Sequence, residues 1–169
     1  MVRNNRDYPN DIAILYMGRK ITYSRLLHKI DETAAAFAAL GVNPGEIVTV
    51  ALPSIPEALY TVYALNKLGA VANMIHPLAG EQELVNYLNE VESRVAVLYE
   101  GSYAIVKNRM QETAVERGVV VSAGESLPLG IKQLFFLKNP RAKLPVGAGL
   151  LCWPDFIREG RKRTVTSFA

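Results

Sequence analysis

Across residues 23–40 the apolar side chains Leu26, Leu27, Ile30, Ala34, Phe37 and Leu40 fall three or four apart, which predicts a helix with one apolar stripe. Thr22 stands where an N-cap belongs, and Gly41 where a helix stops. Just upstream, AILY and ITY flank MGRK, two β-prone runs around a glycine turn, so residues 12–23 are expected to form a hairpin. Beyond the turn Asn43-Pro44-Gly45, the residues Ile47, Val71, Val95 and Val119 each open a short apolar run and recur every 24 residues. Between these runs, 56–68, 81–91 and 103–117 have helical periodicity. The order is βαβαβαβ.

Strands that are apolar on both faces and separated by helices imply a parallel sheet with helices packed on it and right-handed crossovers. The expected class is therefore α/β: an N-terminal hairpin and helix, then a mostly parallel sheet flanked by helices, forming part of a larger domain. The units share element order and no residue pattern, so this is no solenoid. The helix over 56–68 is apolar nearly all round, through Ala58, Leu59, Val62, Tyr63, Ala64 and Leu65, and needs cover on more than one side. Residues 1–124 are expected to form one subdomain, with 1–11 flexible. Residues 125–169 are expected to connect it to structure beyond this chain, with a short helix in LPLGIKQLFFLKN, a loop or strand in LPVGAGLL, and a last helical turn or two in WPDFIREG. The final TVTSFA shows no cap or turn.

A length of 169 residues suits one sizeable core. The composition is 50% hydrophobic and 21% charged, which marks a globular chain. The net charge of +3 is spread along the sequence and does not argue for nucleic acid. The one concentrated run, Arg158, Arg161, Lys162 and Arg163, is either a phosphate-binding or targeting patch or a solvated helix end. Cys152 is the single cysteine, so no intrachain disulfide or thiolate metal cluster can form, and a reducing compartment is expected. There is no secretory signal and no apolar run of ~18 residues, so a cytoplasmic location without a membrane span is expected.

The sequence lacks a Gly-Lys-Ser/Thr phosphate loop, an HExxH pair and a GxSxG elbow. Gly147-Ala148-Gly149 has no third glycine of a dinucleotide fingerprint and is expected to be a loop. His28 lies off the helical stripe and should be exposed. His28 and His76 sit on different elements with no obvious Cys or carboxylate set beside them, so no metal site is expected. Ligands of open α/β sheets gather beyond the carboxyl ends of strands, here Pro53-Ser54, His76-Pro77, Glu100-Gly101 and Ser122-Ala123. Of these His76 has the most versatile chemistry, since imidazole can donate, accept or shuttle a proton. Without a nucleophile or orienting carboxylate it is either a substrate-binding neighbour or simply a strand end. Asn73 is expected to be satisfied by a neighbouring loop, and Tyr60 and Tyr63 to be core residues with bonded hydroxyls.

Taken together, TYSRL at 22–26, ALGVNPGEIVTVALPSIPEAL at 39–59, KLGAVANMIHPLAGEQELVNYL at 67–88 and ESRVAVL at 92–98 resemble the opening region of the acyl-adenylate-forming enzymes. That family comprises acyl-CoA synthetases, adenylation domains of nonribosomal peptide synthetases, and beetle luciferases. The resemblance covers about residues 12–122 and rests on order and spacing, because each motif is short. WPDFIREG is similar to the helix that precedes the family's ATP-binding loop. Glu46 and Ser54 depart from the commoner Asp and Asn, and Met74-Ile75-His76 replaces a small or apolar residue followed by Asn.

The resemblance implies a parent that activates a carboxylic acid, fatty or otherwise apolar, with Mg-ATP to an acyl-AMP and then forms a thioester with coenzyme A. ATP, Mg2+ and coenzyme A belong to that parent. The catalytic residues would lie further along the chain, so this segment alone is expected to be inactive, to partner the remainder of the polypeptide, and to self-associate where apolar surface is exposed. The alternatives are a free-standing, non-catalytic α/β binding module and a degenerate Rossmann-like nucleotide binder.

Overall fold

The computed structural model describes residues 7–140 and 149–166. Strands β1 (Ile12–Tyr16) and β2 (Arg19–Thr22) pair antiparallel as the expected hairpin, turning through Met17 and Gly18, both at positive φ. Residues 1–6 lie outside the described residues. The rest of the segment expected to be flexible is tied down, since Tyr23 N–H donates to Asp11 O and Ser24 N–H to Pro9 O. Helix α1 (Tyr23–Ala39) opens on Thr22, whose side chain accepts from Arg25 N–H at 3.3 Å. It ends at Leu40 and Gly41, the latter at φ +82°.

Four βα steps follow: β3 (Ile47–Ala51), α2 (Pro56–Leu68), β4 (Val71–Met74), α3 (Glu81–Glu90), β5 (Val95–Tyr99), α4 (Glu100–Val106), β6 (Arg117–Val121) and α5 (Leu129–Lys138). The period seen in the sequence follows the sheet register only in part: Ile47 stands opposite Val71, but Val95 stands opposite Val48 and Val119 opposite Val97. The helix expected over 103–117 is corrected: α4 starts at Glu100, stops at Val106, and gives way to a 3-10 stretch over Lys107–Glu112. A residue on another helix ends the 3-10 stretch. Asn89 on α3 donates through Nδ2 to Glu112 O and accepts through Oδ1 from Ala114 N–H, both at 2.9 Å, which draws the chain off the helix path and into β6.

The segment after Gly124 does more than connect. Within its described part, β7 (Leu150–Cys152) adds a fifth parallel strand to the sheet, and α6 (Trp153–Thr166) packs across α1. Residues 141–148, including most of LPVGAGLL, and 167–169 lie outside the described residues.

The strand order is β4-β3-β5-β6-β7, all parallel. Successive strand residues point to opposite faces. Val48, Val50, Val95, Val97, Val119 and Val121 meet α1, α2 and α6 on one side. Ala96, Leu98 and Val120 meet α3 and α4 on the other. Phe37 of α1 meets Phe156 of α6 edge-on, with centroids 4.9 Å apart, and both are fully buried. At about 1.5–3 kcal/mol for each large side chain removed from water, Trp153, Phe156 and Ile157 make α6 a substantial part of the core. The edge strand β4 is the exception to the two-sided burial expected, with Val71 and Met74 exposed.

Candidate functional site

Strand order locates the site. From β3 the chain crosses through α2 to β4 on one side, whereas from β5 it crosses through α4 to β6 on the other. Adjacent strands whose connections leave in opposite directions open a crevice at their carboxyl ends, where ligands of open α/β sheets bind. A cleft of about 500 Å³ lies there, lined by Leu52, Pro53, Ser54, His76, Pro77, Leu78 and Tyr99.

Two of the four strand ends picked out in the sequence, Pro53-Ser54 and His76-Pro77, therefore meet in one cleft. His76 is exposed, and its Nδ1 accepts from Leu78 N–H at 3.2 Å, which assigns the remaining ring proton to Nε2. Ser102 donates its hydroxyl to Pro77 O, which pins this loop to α4. The Tyr99 ring lies over Gly101, where a Cβ would stand 2.7 Å from Cε1. Burial raises the Tyr99 phenol above its ordinary pKa, with the Glu100 charge adding to the effect. The cleft offers an apolar floor with an imidazole, a hydroxyl and a phenol at its rim. That suits holding a mostly apolar group.

The other two strand ends hold each other. Glu100 accepts from Ser122 Oγ at 2.9 Å and from Ala123 N–H at 3.2 Å, so its carboxylate fastens the loop after β6. Asn73 is half-buried and donates to Thr49 Oγ1 at 3.3 Å, on the neighbouring strand and not on a loop as expected. His28 is exposed on α1, with Nε2 3.4 Å from Glu32. Tyr60 is buried as expected, and Tyr63 is half-buried. Among the described residues no group of three His, Cys, Asp or Glu is placed to hold a metal. Among them, too, no helix is long and apolar enough to cross a membrane.

Sequence reasoning missed Glu57. In the first turn of α2 it reads as a solvated helix-dipole partner, yet it is 3% exposed and its Oε1 accepts from Ser126 Oγ at 2.5 Å. Among the described residues Oε2 has no partner, nor has Thr61 Oγ1 one turn along, and burial pushes the carboxyl pKa up. Only the Pro-Glu start of an otherwise apolar helix hinted at this.

Comparison with known proteins decides the family. The model of the AMP-binding enzymes matches residues 1–143. This chain belongs to that family. Acetyl-coenzyme A synthetase 1 of Debaryomyces hansenii is 29% identical over 151 residues, which is 86% of this chain and 22% of the synthetase. The long-chain-fatty-acid-CoA ligase of Archaeoglobus fulgidus superposes with a TM-score of 0.58 at 28% identity, over 60% of this chain and 20% of that one. An anthranilate CoA ligase crystallised with anthranoyl-AMP shares the fold, with a TM-score of 0.73 at 21% identity over 93% of this chain and 26% of its own. The chain thus corresponds to an N-terminal part of an acyl-adenylate-forming enzyme, and it spans less than a quarter of the length of the synthetase it matches.

Proposed function

We propose that this chain is the N-terminal α/β portion of a cytoplasmic AMP-forming acid–CoA ligase, with residues 125–169 leading on to the ATP-binding region. The family match across residues 1–143 carries this reading, and the acetyl-CoA synthetase relatives make acetate the first acid to test ahead of a fatty one. ATP, Mg2+ and coenzyme A would be held by the parent. The described residues bring together no carboxylate set for a metal, and the sequence has no phosphate loop. Phosphoryl chemistry depends on such charge stabilisation, so the isolated chain should not adenylate.

His76 is assigned a place beside bound substrate and no proton-transfer role, because it is exposed and, among the described residues, makes no hydrogen bond to a carboxylate. The exposed Leu129, Leu134 and Leu137 of α5 are the surface the remainder of the ligase would cover.

The test is acid-dependent ATP–pyrophosphate exchange and thioester formation, measured for the native gene product and for this chain alone with acetate, butyrate and octanoate. Activity in the former and none in the latter is expected. A native product that ends at Ala169 and is a stable, inactive monomer would overturn the proposal in favour of a non-catalytic module.

A further inference from the structure

Strand β4 ends the sheet, yet it carries none of the devices that keep an edge from pairing. Natural edges are guarded by charged side chains, proline, a bulge or a covering segment. From Gly69 to Gly80 there is no Asp, Glu, Lys or Arg, no proline stands within the strand, and its register with β3 runs unbroken from Ile47–Val71 to Val50–Met74. Val71 and Met74 are each about half exposed. The backbone is open too. Val71 N–H donates to Glu46 O at 2.9 Å and Ile75 N–H to Val50 O at 3.1 Å, so the odd-numbered residues bond towards β3. Ala72 and Met74 therefore turn both N–H and C=O to the open side, where among the described residues no strand meets them.

This edge is complementary to itself. When an antiparallel pairing about a twofold axis sets Asn73 against Asn73 of a second copy, Ala72 falls opposite Met74 and Val71 opposite Ile75. Opposed residues 72 and 74 then exchange N–H and C=O in both directions, which makes four backbone hydrogen bonds. The side chains match as well: small against large in Ala72–Met74, two β-branched apolar residues in Val71–Ile75, and two amides at the centre. A twofold axis brings a side chain near its own copy, so a charge at the centre of the strand would repel itself, and β4 has none. Stable dimers bury about 800 Å² on each partner, more than a four-residue strand supplies. Leu59 of α2, the helix packed on β4, and Leu78 just beyond the strand are both exposed and extend the apolar strip. We propose that β4 pairs with β4 of a second copy of this chain, antiparallel and centred on Asn73, joining two five-stranded sheets into one.

The pairing needs only this chain and does not rest on the ligase reading. Sedimentation equilibrium over a concentration series should show a monomer–dimer equilibrium, with the amide hydrogens of Ala72 and Met74 gaining exchange protection as the dimer forms. Met74→Pro deletes a donor that the monomer leaves unpaired, at an edge where proline is tolerated, so the unfolding midpoint of the monomer should stay near that of the parent chain. Dimer affinity should fall about tenfold or more, because two of the four hydrogen bonds are lost. Cross-linking reads the register. In a Cys152→Ser background, Asn73→Cys should give a disulfide-linked dimer on mild oxidation with diamide, since the opposed Cα atoms would lie about 4.5 Å apart. Val71→Cys should not, because the two copies of residue 71 would lie more than about 13 Å apart. A chain that stays monomeric at every concentration, a dimer whose affinity Met74→Pro leaves unchanged, or equal cross-linking through residues 71 and 73 would overturn the assignment. Protection of Ala72 and Met74 only within a longer native product would give the edge to another part of that polypeptide and would overturn it as well.

Discussion

Replacing Gly160 with alanine sets two effects of known size against each other. Alanine in a helix interior is favoured over glycine by about 1 kcal/mol, so propensity alone predicts a more stable protein. At this position α6 crosses α1, and an added Cβ would stand 2.6 Å from both Cα and N of Ala36 and 2.8 Å from its Cβ. Carbon atoms in contact sit about 3.5–4.0 Å apart, so the helices must separate by roughly 1 Å. The obstacle is largely backbone and cannot rotate away. Overpacking of this kind costs about 1–3 kcal/mol, and separation also loosens the Phe37–Phe156 contact beside it. The upper end of that range applies, so Gly160→Ala should lose about 1–2 kcal/mol net, and Tm should fall about 2–4 °C for each kcal/mol.

Trp153 is the only tryptophan and is buried on α6, so its fluorescence during urea unfolding reports on this contact. Gly130→Ala is the control: its Cβ meets nothing within 4 Å, and a slight gain in stability is expected. Because the clash is with backbone atoms, adding Ala36→Gly should not restore Gly160→Ala. A Gly160→Ala protein at least as stable as the parent would refute the close approach of α1 and α6.

Glu57 has a folded pKa raised by burial, so its stabilising neutral form is fully present below about 4.5 and its contribution is lost as pH rises through the folded value. Glu57→Gln should therefore gain on the parent chain as pH increases from 4 to 9, by about 1.4 kcal/mol for each pH unit over which the folded carboxyl keeps its proton while the unfolded one has lost it, and an unfolding difference flat with pH would contradict this. Ser93→Ala should cost about 1–3 kcal/mol at unchanged urea m-value, because Ser93 Oγ is the acceptor for the buried Thr49 N–H at 2.9 Å. Tyr60, buried and beside Glu57, should ionise at about 12 in an ultraviolet titration, and Tyr60→Phe should remove that step.

The parts of the fold that local patterns specify were legible in the sequence. Thr22 caps α1, Gly41 and Gly69 end α1 and α2 at positive φ, and alternating valines fix the faces of β3, β5 and β6. What escaped depends on partners distant in sequence. The 3-10 stretch after α4 is ended by Asn89, the partner of Asn73 is Thr49, and β7 is a three-residue strand held by its pairing with β6 and not by any pattern of its own. Burial of Glu57 depends on Ser126, 69 residues away. His76 could be placed at a strand tip from the sequence, but the crevice could not, since strand order decides which tips become neighbours.

The polar groups around the sheet's carboxyl edge share one property: nearly all are engaged in holding loops. Glu100 holds the turn after β6, Ser102 holds the turn after β4, and Glu57 with Arg19 holds Ser126. A side chain committed in this way cannot also exchange protons with a substrate without releasing its loop, so this edge is built to keep a shape. His76 stands apart: one ring nitrogen is satisfied by its own turn and the other faces outward. In an acid–CoA ligase such a histidine can orient a bound group, but among the described residues no hydroxyl is hydrogen-bonded to it for activation. The consequence for the proposed parent is that His76→Ala should move KM and leave kcat nearly unchanged, because binding alone would be lost. A large fall in kcat with KM preserved would mean that His76 acts in the transition state, and the assignment of this edge to shape alone would fail.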